Sequence, residues 1–268
     1  MDGSTREINC DLVTDDCRRC RSADTRSTRN LAPRGARGVA RALLGGRTRR
    51  ALRAPHGASM TTIGTTQNTP AAKPTTPPGY RLGDPTLARS PVTLDELDLL
   101  RGTLLMGDDD LVHLRLAGEV VRDQIEDILD VWYGFVGANP HLVRYFSNLS
   151  DGKPNAEYLA RVRARFGQWI VDTTNARYDQ AWLDYQHEVG LRHRKPGKNA
   201  TDGVASVPHI PLRYVLAFVM PLSATMTPFL AKKGHPPETV AKMRDAWTKA
   251  VLLTAILWSE PYVKDGEF

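Results

Sequence analysis

Residues 178–197 read YDQAWLDYQHEVGLRHRKPG, and their apolar spacing is helical rather than extended. At about 100° per residue, Trp182, Gln186, Val189 and His193 fall within about 40° of one another, whereas His187 lies about 140° away. The spacing predicts a helix over Tyr178–Arg194, stopped by Pro196-Gly197. His193 closes its buried stripe, and His187 points to the opposite face.

The same period extends in both directions. Upstream, Tyr158, Leu159, Val162, Phe166, Trp169, Ile170 and Thr173 make a wide apolar stripe of five turns, the mark of a core-facing helix. Before it, DQIEDILDVWYGFVG (123–137) places Ile125, Ile128, Leu129, Trp132 and Val136 on one face. Asn139-Pro140 then restarts a short helical turn that ends near Phe146. Thr93 and Glu96 form a capping box ahead of Leu97, Leu99, Leu100 and Leu104, and Asp108–Asp110 open a helix through Leu111, Leu114 and Val120. Downstream, one long apolar helix is expected from about Pro208 to Lys233 and a last one from Pro237 to near Trp258. Strand alternation and hairpin turns are nearly absent, so the body is expected to be all-α with about eight helices.

Composition assigns the charge to one end. The 268 residues carry a net charge of +6, but residues 1–59 alone hold 13 Arg, no Lys and 6 acidic groups. From Met60 onward there are 23 basic and 24 acidic residues, close to neutral. All three cysteines (Cys10, Cys17, Cys20) lie in that first stretch, so the body has neither a disulfide framework nor a thiolate metal site. Cys17-x-x-Cys20 lacks the four ligands that zinc needs. The Arg-rich extension 1–59 is compatible with a nucleic-acid-binding arm or a transit peptide. Its all-Arg bias and early acids favour disorder or upstream DNA translated ahead of a start at Met60. Residues 60–80 are Thr- and Pro-rich and extended, and 81–268 form the domain. Val215–Leu230 is interrupted by Pro221 and Pro228 and falls short of a membrane span. The expectation is a cytoplasmic protein with no membrane or nucleic-acid partner.

An imidazole at the core-facing end of a helix is either a satisfied core histidine or a ligand to a metal or haem. Around His193, other helices supply Trp132, Tyr133, Val162, Phe166 and Phe218, enough to line a flat apolar pocket. No second histidine or methionine stands out on the facing helix. An iron held there would be five-coordinate and open to a diatomic gas, with the Tyr133 hydroxyl as a donor. The alternative is that Trp132 and Tyr133 only fill the core, the default reading for Trp132 taken alone.

The runs PGYRLGD (78–84), DQIEDILDVWYGFVG (123–137), RVRARFGQWIVDTT (161–174), DYQHEVGLRHR (184–194), TDGVASVPHIPLRY (201–214) and PLSATMTPFLAKKG (221–234) together resemble the protoglobins, the single-domain relatives of globin-coupled sensors. The resemblance covers about Pro78–Phe268. It implies a globin fold, a 3-over-3 helical sandwich with an extra N-terminal helix and no D helix, and a deeply buried haem b. It also implies a homodimer through the last two long helices. It makes His193 the iron ligand, Trp132 and Tyr133 the distal pair, and Val162, Phe166, Ile210, Phe218 and Leu222 haem-pocket residues. Two departures stand out: Arg194 where many relatives have a second histidine, and Met220 where many have a tyrosine.

The function so implied is reversible binding of O2, CO or NO, for gas binding or sensing. The alternative is a haem enzyme acting on NO, nitrite or peroxide, although no distal histidine–arginine pair for peroxide cleavage is evident. About ten residues follow Trp258, so a sensor role would need a separate signalling partner, and ferrous iron would need a reductase partner.

Overall fold

The computed structural model describes residues 76–264 and 266–268. The readings made for residues 1–59, and for all but the last few of 60–80, lie outside the described residues. After an irregular lead-in, α1 covers Leu94–Thr103, capped by Thr93: its side chain accepts from the Glu96 N–H, and Glu96 accepts from the Thr93 N–H in return. Leu97 is buried and Leu100 and Leu104 pack on the core, but Leu99, 200° around the helix from Leu97, is exposed.

Helix α2 (Asp108–Val121) begins with three aspartates that favour its positive N-terminal end and buries Leu114, Ala117, Val120 and Val121. Helix α3 (Ile125–Gly137) follows a 3-10 turn and buries Ile128, Leu129 and Trp132. The short α4 (Pro140–Val143) and a 3-10 turn over Arg144–Phe146 occupy the predicted restart at Asn139-Pro140. No helix lies between Phe146 and Ala156, where two isolated bridges, Ser147 to Pro154 and Asn148 to Ser206, tie the loop down.

Helix α5 (Ala156–Asn175) is capped by the Asn155 side chain and α6 (Gln180–Leu191) by that of Asp179. Helix α6 is therefore shorter at both ends than predicted, and His193 sits in the turn two residues beyond it. A short α7 (Gly197–Ala200), which periodicity does not announce in four residues, follows Pro196.

The single long helix expected over Pro208–Lys233 is instead three pieces: α8 (Leu212–Ala217), α9 (Val219–Ala224) and α10 (Thr227–Leu230). The reason is chemical. Pro221 and Pro228 have no N–H to give to the carbonyls of Ala217 and Ala224, and the helical register lapses at Phe218 and at Thr225-Met226. Across Leu212–Leu230 the mean hydropathy reaches 1.2 over 18 residues, and Leu222, Met226 and Leu230 are buried against the core. The last helix, α11 (Pro237–Ser259), buries ten of its residues and packs against α2, α6 and α9, so it forms the central strut of the molecule. Among the described residues there is no β-strand, and the body is all-α.

Candidate cofactor site

An apolar cavity of about 250 Å³ opens between α3, α5, the turn after α6, α8–α9 and α11. His193, Trp132, Tyr133, Val162, Phe166, Ile210, Phe218 and Leu222, named above from the sequence, all line it. They come from five separate segments of chain, joined here on one surface.

His193 has a fixed tautomer. Its Nδ1–H donates to the Val189 carbonyl at 2.8 Å, one turn back, which leaves Nε2 as a lone-pair nitrogen. Among the described residues, Nε2 makes no hydrogen bond. Burial holds the ring's pKa down to about 4, against the opposing pull of the Val189 bond and with small help from Lys198 and Arg192, so the imidazole is neutral. Trp258 stacks on it with centroids 4.9 Å apart and planes 29° from parallel.

Across the cavity, Trp132 is fully buried and donates its indole N–H to Thr225 Oγ1 at 2.9 Å; that hydroxyl donates in turn to the Pro221 carbonyl at 2.7 Å. Trp132 also contacts Phe166 (5.1 Å between centroids) and stacks with Trp247 (6.3 Å), so its rotamer is pinned on both sides. The next residue, Tyr133, lines the cavity with its hydroxyl unbonded among the described residues. Burial raises its pKa well above the ordinary 10.0, so it is a donor at any physiological pH. Arg163 lies over its ring at 5.5 Å while pairing with Glu126 and Asp130.

One edge of the cavity is charged. Lys198, 4% exposed, donates to the Tyr145 carbonyl at 2.7 Å, and burial lowers its pKa from 10.5 to about 8. Arg165 pairs with buried Asp202 at 2.5 Å, and Arg192 donates to the Gly79 carbonyl and to Glu188. A strap of chain closes this edge: Tyr80 donates to Asp172 at 2.8 Å, and the Pro78 and Gly79 carbonyls accept from Arg165 and Arg192. Gly79 has φ +78, and a Cβ there would strike Thr201 Cγ2, so the strap can lie this close only with glycine.

Sequence reading missed Lys198, Arg165, Arg192, Asp172, Trp169 and Trp258 as cavity walls. Trp169 and Trp258 carried a detectable signal, since both sit on apolar helical stripes; nothing local marks a lysine as buried. Among the described residues no three His, Cys, Asp or Glu side chains stand together as a metal site. A metal here would meet one protein nitrogen.

A family model described as Protoglobin matches residues 93–268. No curated protein matches the chain. Among solved structures, the chain is similar to the globin domain of the Geobacter sulfurreducens globin-coupled sensor, at 14% identity and a TM-score of 0.48, over 62% of this chain and 97% of that one. The family model spans about two-thirds of the sequence, from the capping box of α1 through the histidine turn to the last residue, and the chain belongs to the protoglobin family.

Proposed function

We propose that the cavity binds haem b, with His193 Nε2 as the axial ligand, and that the protein reversibly binds O2, CO or NO. The observation that carries this reading is His193 itself: a neutral imidazole at an apolar cavity, its Nδ1–H committed to Val189 and its Nε2 lone pair unclaimed. The other walls fit the same group. Phe166, Phe218, Val162, Ile210 and Leu222 offer the apolar contacts a macrocycle needs, and Lys198 and Arg192, cations on the cavity wall, could pair with its carboxylates.

When bound, haem would supply an iron able to take a diatomic gas. The chain's own residues govern that binding. Tyr133 brings an unengaged O–H donor beside Trp132, and Trp132 and Phe166 exclude water, which would slow oxidation of the iron. In this assignment α1 is the helix added before the globin helices, and the helix-free stretch 147–155 stands where a D helix is missing. The apolar residues exposed on α8–α11 form the dimer contact.

Absorption spectra of haem-loaded protein, ferric, ferrous and ferrous-CO, test the proposal. A five-coordinate ferrous spectrum that shifts on CO is expected, and it is lost in His193→Ala. A ferrous spectrum unchanged by that substitution overturns the assignment.

A further inference from the structure

We infer that the segment 258–262, the last residues of α11 and the 3-10 turn Glu260–Tyr262 after it, is a clamp on His193, with Tyr262 and Trp258 acting as positioning residues. This rests on the haem reading above.

His193 lies beyond the end of α6, so helical hydrogen bonding no longer holds it firmly. Its N–H still reaches the Gly190 carbonyl at 3.1 Å, but its carbonyl belongs to no helix. That carbonyl accepts instead from the Ile210 N–H at 2.9 Å and faces the Tyr262 hydroxyl at 3.2 Å. The same hydroxyl lies 2.7 Å from the Ile210 carbonyl. With one hydrogen to give, it serves Ile210 first and His193 as the longer branch, which knots the histidine turn to the cavity-lining segment at Ile210. The ring is held from the adjoining end of α11. Trp258 stacks on the imidazole, and its own plane is set by donation to Gln186 Oε1 at 3.0 Å.

Two further contacts bring this turn onto α6. A Cβ on Gly190 would come within 3.3 Å of Pro261 and of Trp258 Cα, so the elements touch backbone to backbone. Arg194, the departure noted in the sequence, lies over the Tyr262 ring at 5.5 Å. It packs on the clamp. An aromatic that merely fills the core has no need to place its hydroxyl on the ligand's own carbonyl. Here the end of α11 and the 3-10 turn after it together control the rotation of the His193 ring and the position of its backbone, which are the two quantities that set how an imidazole meets an iron.

The test uses full-length, haem-loaded protein. Resonance Raman spectra of the unliganded ferrous form give the iron–histidine stretch, and transfer to apomyoglobin gives the rate of haem loss. Tyr262→Phe keeps the ring and removes the hydroxyl. It is expected to shift the iron–histidine band and to speed haem loss roughly 2- to 10-fold, the range for one hydrogen bond. Glu260→Gln alters the same turn, where Glu260 meets His187 at 3.1 Å, without touching His193, and is expected to leave the band in place. An unmoved band in Tyr262→Phe overturns the clamp, as does an equal shift in Glu260→Gln. If Tyr262→Phe does not fold, Trp258→Phe, which keeps a ring but loses the bond to Gln186, carries the same expectation and the same refutation. Absence of an iron–histidine band in the wild type overturns the haem reading, and the clamp with it.

Discussion

At the scale of single residues, the charged edge of the cavity ties stability to pH through Lys198. Lys198 keeps its ammonium among Tyr145, Tyr158 and Asn199, and burial favours its neutral form. The folded protein therefore sheds this proton near pH 8, whereas the unfolded chain holds it to about 10.5. In that window the unfolded state binds more protons, so stability rises with pH between about 8 and 10.5. Lys198→Met is expected to abolish that rise in urea titrations of the haem-free protein. It leaves no orphan, since the Tyr145 carbonyl also accepts from Ser206 Oγ at 2.9 Å. If Lys198 meets a haem carboxylate, the same variant loses haem faster than wild type, so apo stability and haem retention move in opposite directions. His193 was legible from its place on the stripe of 178–194. Lys198 was not, because a lysine in a short Gly-Lys-Asn-Ala turn reads as solvated, and only the chain packed over it takes the solvent away.

Among the elements, the broken segment α8–α10 matters most. The prolines are visible in the sequence, but apolar periodicity runs through them and predicts one long helix. What the breaks accomplish depends on α3. At the second break Thr225 turns its hydroxyl to the Trp132 indole, which has no other acceptor among the described residues. Thr225→Val keeps the shape and deletes the acceptor. It should cost about 1–3 kcal/mol in urea unfolding, the penalty for stranding a buried donor, while Thr225→Ser stays near wild type. Equal stability of the valine variant would show that Trp132 finds a substitute partner. The ends of α6 were misjudged for a related reason. Capped by Asp179, it starts two residues later than periodicity predicts, and the turn at Arg192–Arg194 is held by contacts from Ile210 and Tyr262, which lie outside its own sequence.

For the molecule as a whole, association is the open physical question that the surface addresses. Leu216 and Met220 on α8–α9 are 43% and 67% exposed, and Leu252 on α11 is 37% exposed. A homodimer through these helices would bury such a face, and stable dimers bury about 800 Å² per partner. Light scattering should then give twice the chain mass, and Met220→Lys should weaken the dimer at least about tenfold by placing an unpaired charge in an apolar contact. A wild-type monomer at micromolar concentration would exclude this surface as the contact. The basic balance bears on none of this: its +6 comes from residues 1–59, and the rest of the chain is near neutral. By itself the sequence determined what local repetition can carry: the all-α class, the capping of α1, the inward faces of α3 and α5, and His193 as the histidine on the buried stripe. Tertiary structure alone decided that eight residues from five segments share one cavity, that Lys198 is buried, that Thr225 serves Trp132, and that Tyr262 reaches the histidine turn 69 residues away. The reason is range: helical periodicity is set by neighbours three and four residues apart, whereas desolvation and hydrogen-bond pairing across the core depend on which distant segments the packing brings together.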